Sequence, residues 1–437
     1  MRNNSDKIII FPGCLILYRF PEYEASTRRL VMALGYELQP MGQAICCGAY
    51  LEGVYPHWMR YSALILAQAA KQGGRVVTLC GGCANAFTRT RQALSRDCGV
   101  KRDIGDWLHS QGLDIRDLAD SMHLLEFLAG HPDKVANKIT RALPWRVAPV
   151  YPCQVFRPGS AMRFDDPLQP RSLDVLIRIT GAQVADYPQK YSCCGASAEI
   201  DGPKVAFGLA RTRLEQLRAV GAGVLVTACG NCHRLLQKLQ PMYDPGPFFP
   251  GLFLPQLLGL ALGLGPEELQ IERRVMRAMG IGDGLQDILP AGQAVAVSKP
   301  RRFPRRRAKE RPGKSGQCRG CGACRAVCPV ERGGGPSLAA QMLDPAMGQG
   351  YCCNCWLCHE ICPEGVDVWK KRFKTLGGNP VSTARQESWL ELAKSGFCLP
   401  INLEINEMRS SRGLPPITLP DAGLRGAIGF NEKSVSK

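Results

Sequence analysis

Cysteine is the residue type through which this chain could do chemistry, and 18 of its 21 cysteines fall into ordered sets. One kind of set centres on an adjacent pair followed by glycine, Cys46-Cys47-Gly48 and again Cys193-Cys194-Gly195. Upstream of each pair, across 31 and 39 intervening residues, stands one cysteine that closes an apolar run: Cys14 after Ile8 to Pro12, and Cys153 after Val147 to Pro152. Downstream comes a Cys-x-x-Cys, Cys80 and Cys83 in the first copy, Cys229 and Cys232 in the second. Five cysteines therefore recur twice in one order at a spacing of about 140 to 150 residues, far above solenoid periods. That pattern reads as two copies of one domain, with two similar cysteine-bearing lobes expected to face each other. Adjacent cysteines do not easily ligate one tetrahedral ion, whereas a multi-iron cluster offers several iron corners to neighbouring thiolates. The sets therefore favour an iron-sulfur cluster over zinc.

The second kind of set is Cys318-x2-Cys321-x2-Cys324-x3-Cys328-Pro329, repeated as Cys352-x2-Cys355-x2-Cys358-x3-Cys362-Pro363. This is the spacing of a two-cluster [4Fe-4S] ferredoxin, in which the fourth cysteine of each run crosses to the other cluster. Crossing assigns Cys318, Cys321, Cys324 and Cys362 to one cluster and Cys352, Cys355, Cys358 and Cys328 to the other. Zinc ribbons use two Cys-x-x-Cys pairs without the third interval and the terminal Cys-Pro. Cys98, Cys353 and Cys398 fall outside every set and read as buried small hydrophobes. His233, directly after Cys232, either tunes a cluster by hydrogen bonding or opens a helix facing solvent.

Ligands scattered over so many residues need a scaffold that gathers them. Lys7 to Phe11 is a short apolar run bounded by Pro12-Gly13, as a buried strand of a parallel sheet would be. A helix over Glu24 to Leu34, a strand at Glu37 to Pro40, the Cys-Cys-Gly loop, a helix over Tyr61 to Lys71, a strand at Arg75 to Leu79 and a helix from Ala84 to Leu94 follow in order. The second copy repeats this: strand Val147 to Tyr151, helix Ser172 to Thr180, strand Gln183 to Asp186, the Cys-Cys-Gly loop, helix Val205 to Val220, strand Val224 to Thr227, and a helix from His233. Apolar helices at Met122 to Leu128 and Phe253 to Leu264, one after each Cys-x-x-Cys, either cover the clusters or belong merely to the core. In open α/β sheets functional groups collect at the carboxyl ends of strands, so topology alone would bring each lone cysteine to its Cys-x-x-Cys.

The chain has 437 residues, enough for two to four domains. So many cysteines behind no charged-then-apolar leader argue for reduced thiolates and a cytoplasmic protein. The longest apolar run, Leu252 to Gly265, has 14 residues and is interrupted by Pro255, Gln256 and Gly259, so membrane association would need a partner. Of the net charge of +17, about half sits between Lys299 and Lys314, where nine Lys or Arg and one acid are interleaved with three prolines. This describes a solvated linker, or a docking strip for an acidic partner protein, and not a nucleic-acid-binding surface. The last segment, helical at Thr383 to Lys394 and Pro- and Gly-rich from Gly413, reads as an arm. The domain limits that follow are 1–143, 144–290, a basic linker at 291–314, a ferredoxin domain at 315–375 and a tail at 376–437.

On these motifs the chain resembles a fusion of two subunits of heterodisulfide reductase and its relatives. Residues 1 to about 290 resemble the B subunit, with its two CCG cysteine-rich domains, and residues from about 315 onward resemble the C subunit, with its helical two-cluster ferredoxin. The implied fold class is α/β, two tandem CCG domains followed by a mainly α-helical two-cluster ferredoxin domain. Both CCG copies keep all five cysteines, and the ferredoxin comes last where fused relatives usually place it first. The resemblance implies that Cys14, Cys46, Cys47, Cys80 and Cys83 hold one non-cubane [4Fe-4S] cluster, and Cys153, Cys193, Cys194, Cys229 and Cys232 another. The two would flank a disulfide substrate, fed by two ferredoxin clusters. No flavin or nicotinamide fingerprint is present, so the flavin-containing electron donor that the family uses would be a separate member of a hetero-oligomer. The alternative from the same residues is a non-catalytic subunit relaying electrons between a flavoprotein and a quinone or another redox complex.

Overall fold

The computed structural model describes residues 7–52, 55–200, 202–281, 317–343, 351–366 and 404–428, with single positions between 387 and 397. The basic strip at 299–314, most of the helix expected at 383–394, and Cys398 lie outside the described residues. The chain packs as two units, one of residues 1–127 with 381–437 and one of residues 128–380.

In the first unit, β1 (Lys7–Phe11), β2 (Glu37–Gln39), β3 (Arg75–Thr78) and β4 (Ser121–His123) form a sheet in the order β2-β1-β3-β4. All its pairings are parallel. Ile8, Ile9, Ile10 and Phe11 are at most 2% exposed, as a central strand covered on both faces requires. Burial of such a side chain contributes about 1.5–3 kcal/mol. The crossovers are helices Pro21–Ala33, Met59–Lys71 and Gly81–Arg96, the first opening on a proline whose fixed φ suits a first turn. A further helix, Cys98–Ser110, is capped by Asp97, which accepts from the N–H groups of Gly99 and Val100.

The second unit repeats the plan with β5 (Arg146–Val150), β6 (Gln183–Val184), β7 (Val224–Thr227) and β8 (Gly251–Phe253) in the order β6-β5-β7-β8, again all parallel. The α/β reading of the two copies therefore holds, with one addition. The apolar helices at Met122 and Phe253 are each preceded by a fourth strand and begin only at Leu124 and Leu254. The strand-to-helix step is fixed locally: His123 Nδ1 accepts from the Leu125 N–H at 3.1 Å, and Gln256 Oε1 from the Phe253 N–H at 2.9 Å.

Each unit carries a further segment. On the second, the short helices Ala323–Ala326, Pro329–Arg332 and Leu357–Ile361 bear the ferredoxin-like runs. Val330, Cys353 and Cys355 share a core with Leu209, Leu214 and Cys194. On the first, residues 404–428 pack down where the sequence suggests an arm. Arg409, 1% exposed, donates from Nη1 and Nη2 to the Glu24 carboxylate, 0% exposed, at 2.7 and 3.0 Å. Ala44 N–H donates to the Thr418 carbonyl at 2.8 Å. A carboxylate this buried is tolerated only with a cation to meet it, and the tail supplies one.

Candidate metal centres

In the first unit Cys14 opens the Cys14–Arg19 helix directly after β1, and Cys80 caps the Gly81–Arg96 helix after β3, with Cys83 in its first turn. Both lie at the carboxyl edge of the sheet, as the sequence suggests. Cys46 and Cys47 arrive on the loop after β2. Gly48 closes that loop at φ +82°, and a Cβ there would lie 2.5 Å from the Trp58 carbonyl oxygen. Gly13, at φ +77°, lets the end of β1 pass the Cys-x-x-Cys: its Cβ would stand 2.9 Å from Cys83 Sγ. Both positions need glycine for conformation and for room.

The sulfurs converge. Contacts with the thiols of Cys46 and Cys83 hold Cys47 down at about 6. The Cys83 thiol, with the N–H groups of Cys83 and Gly82 at the helix start, lowers Cys80. Cys83 itself is driven well above the ordinary thiol value by the same two partners, Cys47 first and then Cys80, with burial adding to it. Cys14 lies close enough for its charge to bear on Cys80. Two sulfurs drawn toward thiolate, in a set of which three members are at most 5% exposed, are the donor chemistry of a soft metal centre. Among the described residues no three Cys, His, Asp or Glu side chains are arranged for a single metal ion. A cluster reaches its thiolates from several iron corners, so the five-sulfur set fits it better than it fits one ion.

The second unit assembles the same five. Cys153 opens the helix after β5, and its Sγ is 3.9 Å from Cys193 Sγ. Cys229 caps the Gly230–His233 helix after β7, with Cys232 in its first turn. Contacts with Cys193 and Cys232 hold Cys194 well below the ordinary thiol value, while Cys232 is driven well above it, by Cys194 first and Cys229 second. Gly195 repeats the left-handed φ, at +97°. His233 is 5% exposed and does not face solvent; its ring stacks on Phe253 at 3.9 Å, and burial holds it near 3, hence neutral.

Of the ferredoxin-like cysteines, Cys318 and Cys321 are exposed, Cys355 is buried, and the remaining five are half-buried. Burial raises Cys324, whose sulfur neighbours are Cys318 and Cys362. Burial also takes Cys328 up to about 12, with Cys355 and Cys353 beside it, and raises Cys358, beside Cys355, Cys352 and Cys328. The two runs turn alike: Gly320 and Gly322 take left-handed φ in the first, Asn354 and Trp356 in the second.

Sequence reasoning misses two features of the second unit. Cys353, assigned no role, is 3% exposed, and both it and Cys355 come within side-chain reach of Cys193, whose Sγ is 3.9 Å from the Cys353 carbonyl oxygen. The Cys352-Cys353 doublet is the one local sign of this. The other feature is a pair of buried arginines at the Cys-Cys-Gly loop, Arg157 and Arg213, 2% and 1% exposed. Cys98, by contrast, is exposed at the start of its helix and is no part of a core.

Known proteins agree with this geometry. The cysteine-rich domain called CCG matches residues 8–88 and 147–237, the two stretches that carry the five-cysteine sets. Two CoB-CoM heterodisulfide reductase B subunits, from Methanosarcina acetivorans and Methanosarcina mazei, are 28% and 29% identical to the chain, each alignment covering 62% of this chain and 94% of the relative. The membrane anchor subunit of 8-methylmenaquinol:fumarate reductase from Wolinella succinogenes is 28% identical over 62% of this chain and 98% of its own length. The ferredoxin-like runs lie outside the residues matched as CCG. The chain therefore carries two CCG cysteine-rich domains and is a homologue of the heterodisulfide reductase B subunits.

Proposed function

We propose that this chain is the catalytic iron-sulfur subunit of a cytoplasmic heterodisulfide reductase-like complex, taking electrons from a separate flavin-bearing partner and reducing, or in reverse forming, a small-molecule disulfide. Four [4Fe-4S] clusters, two ferredoxin-type on the eight cysteines from Cys318 to Cys362 and two non-cubane on the ten CCG cysteines, would supply the one-electron transfers. Reduction of an S–S bond takes two electrons and two protons to give two thiols, which a paired centre can provide.

The observation that carries the reading is Cys193. One side chain of the second CCG set meets Cys153 and Cys194 of its own set and Cys355 of the second ferredoxin-like run. Two cysteine sets are thus in side-chain contact within one buried core, which supports an electron path between them. Gln154 Nε2 donates to the Asn354 carbonyl at 3.1 Å and the Gly159 N–H donates to Glu360 Oε1 at 2.6 Å, holding the second run against the CCG domain. Gly333 and Gly335 let the first run lie close against Val205 and Leu209.

The Wolinella relative, part of a menaquinol-linked enzyme by name, favours a second reading, in which the chain relays electrons to or from a quinone-linked complex without touching a disulfide. No helix among the described residues is long and apolar enough to cross a membrane, so that reading requires a membrane partner. Low-temperature EPR on the anaerobically purified chain separates the two. Thiols added to the oxidised protein should produce a new paramagnetic signal that Cys194→Ala abolishes. Ferredoxin-type signals alone, unmoved by any thiol, would assign the chain to the relay.

A further inference from the structure

The two CCG domains hold equivalent cysteines in unequal electrostatic surroundings. Arg213 lies on the Pro203–Ala219 helix and is 1% exposed. Its Nη2 donates to the carbonyls of Gln189, Ser192 and Cys193 at 3.1, 2.9 and 3.2 Å, which sets the guanidinium against the Cys-Cys-Gly loop. Nε and Nη1 are buried with no hydrogen-bond partner among the described residues. Among the described residues no carboxylate pairs with it. Burial works against its charge, and the groups that favour that charge are Tyr187 and the sulfurs of Cys194, Cys232 and Cys193. A second guanidinium meets the same loop: Arg157 Nη2 donates to the Tyr191 carbonyl at 2.9 Å.

Among the described residues the first domain has no buried arginine at that place. Ile8 pairs with Arg75 where Val147 pairs with Val224, so Arg75 and Val224 are equivalent. Each preceding helix ends on a left-handed glycine, Gly73 and Gly221, and eight residues before it stand Ile65, 4% exposed, in the first domain and Arg213 in the second. The loop carbonyl of Cys47 is held there by a neutral group, Ser62 Oγ donating at 2.7 Å. A buried cation left without a counter-charge is strongly unfavourable; the Tyr187 hydroxyl is neutral and donates to the Pro149 carbonyl, so among the described residues the sulfurs of the second CCG set are what can carry negative charge beside Arg213.

We infer that Arg213 is the built-in counter-ion of the second CCG centre and makes it the higher-potential member of the pair. The inference rests on the reading that each five-cysteine set holds a cluster. A cation fixed in a low-dielectric site favours whichever redox state carries more negative charge, and cluster potentials follow net charge and surrounding hydrogen bonds. The second ferredoxin-like run packs on this same domain, so the centre it touches is the one that keeps an arriving electron more readily.

The test is an EPR-monitored redox titration of the full chain, anaerobically purified, as wild type, Arg213→Gln and Arg213→Lys. Wild type showing no cluster signals beyond the ferredoxin type would defeat the underlying reading, not the role of Arg213. With those signals present, one CCG midpoint should move to lower potential in Arg213→Gln, stay near wild type in Arg213→Lys, and leave the other midpoints in place. Loss of that one signal in Arg213→Gln, with retention in Arg213→Lys, likewise supports a charge requirement. Equal midpoints in all three proteins, or equal disturbance by both substitutions, would overturn the inference.

Discussion

Placed in register, Ile8 on Val147 and Arg75 on Val224, the two cysteine-rich domains agree in strand order, in cysteine order and in the burial of the cysteine pair. They disagree in everything that touches those cysteines from outside the sheet. The first domain has the C-terminal segment against its loop, with Thr418 bridging to Gln43; the second has Cys353 and Cys355 against Cys193. Gly13 before Cys14 becomes Pro152 before Cys153, and Ile65 becomes Arg213. The duplicated scaffold fixes where the sulfurs meet, while the added segments and a few substitutions decide what each meeting point is for.

The sharpest way to break this comparison is to remove one sulfur from each domain. Cys194→Ala should abolish disulfide turnover and the thiol-dependent signal while the ferredoxin-type signals remain, and Cys47→Ala should do the same if both domains take part in the chemistry. Turnover surviving Cys47→Ala would make the first domain an accessory. Iron content, which should fall by one cluster in each variant, checks that neither substitution has simply unfolded the chain.

The tail offers a second contrast, since only the first domain depends on it. Arg409→Ala leaves the Glu24 carboxylate buried with Arg28 alone, and breaking such a pair typically costs about 3–5 kcal/mol. Thermal unfolding of the first unit should shift by that amount and that of the second should not. Burial pushes the Glu24 carboxyl up, but Arg409 and Arg28 outweigh it and hold the group below its usual value. A carboxylate with a depressed folded value stabilises fully above the unfolded value of about 4.3 and loses that contribution as pH falls through the folded one. In wild type the Glu24 contribution should therefore be fully present above about pH 4.3 and fade only as the pH falls further, as acid unfolding followed by circular dichroism would show.

The sequence disclosed the sulfur chemistry because ligand spacing is a local property: Cys46-Cys47-Gly48, the two Cys-x-x-Cys steps and the Cys-Pro ends can each be read within a few residues. It disclosed the sheets for a similar reason, an unbroken run such as Ile8 to Phe11 being incompatible with an exposed strand. It failed where structure depends on distant partners. β4 and β8 are three-residue edge strands that run into apolar helices, so they have no periodicity of their own. Glu24 and Arg409 lie 385 residues apart, and nothing near either announces the other. Arg213 looks like any basic residue on an amphipathic helix until the fold turns it against Cys193.

Glycine gives a finer contrast between the domains. Gly48 and Gly195 both close the cysteine loop with left-handed φ, so alanine at either should cost about 1–2 kcal/mol in backbone strain. At Gly195 the nearest obstacle is Leu209 Cδ1 at 3.1 Å, the movable end of a side chain; at Gly48 it is the Trp58 carbonyl oxygen at 2.5 Å, which moves only with the helix start. Overpacking of that kind adds about 1–3 kcal/mol. Gly48→Ala should therefore lower the denaturation midpoint more than Gly195→Ala, and equal effects would mean that the Trp58 turn yields as easily as a leucine.

The smallest effect isolates a neutral group that holds the cysteine loop of the first domain, where an arginine holds that of the second. Ser62→Ala removes the hydroxyl that donates to the buried Cys47 carbonyl, leaving an acceptor unsatisfied at a cost of about 1–3 kcal/mol. The hydroxyl is neutral and bonds to the backbone, so its loss should loosen the loop without changing the charge around the sulfurs. Stability of the first unit should fall in chemical denaturation while the CCG midpoints stay where they were. A midpoint that moved as far in Ser62→Ala as in Arg213→Gln would show that loop geometry, and not buried charge, separates the two centres.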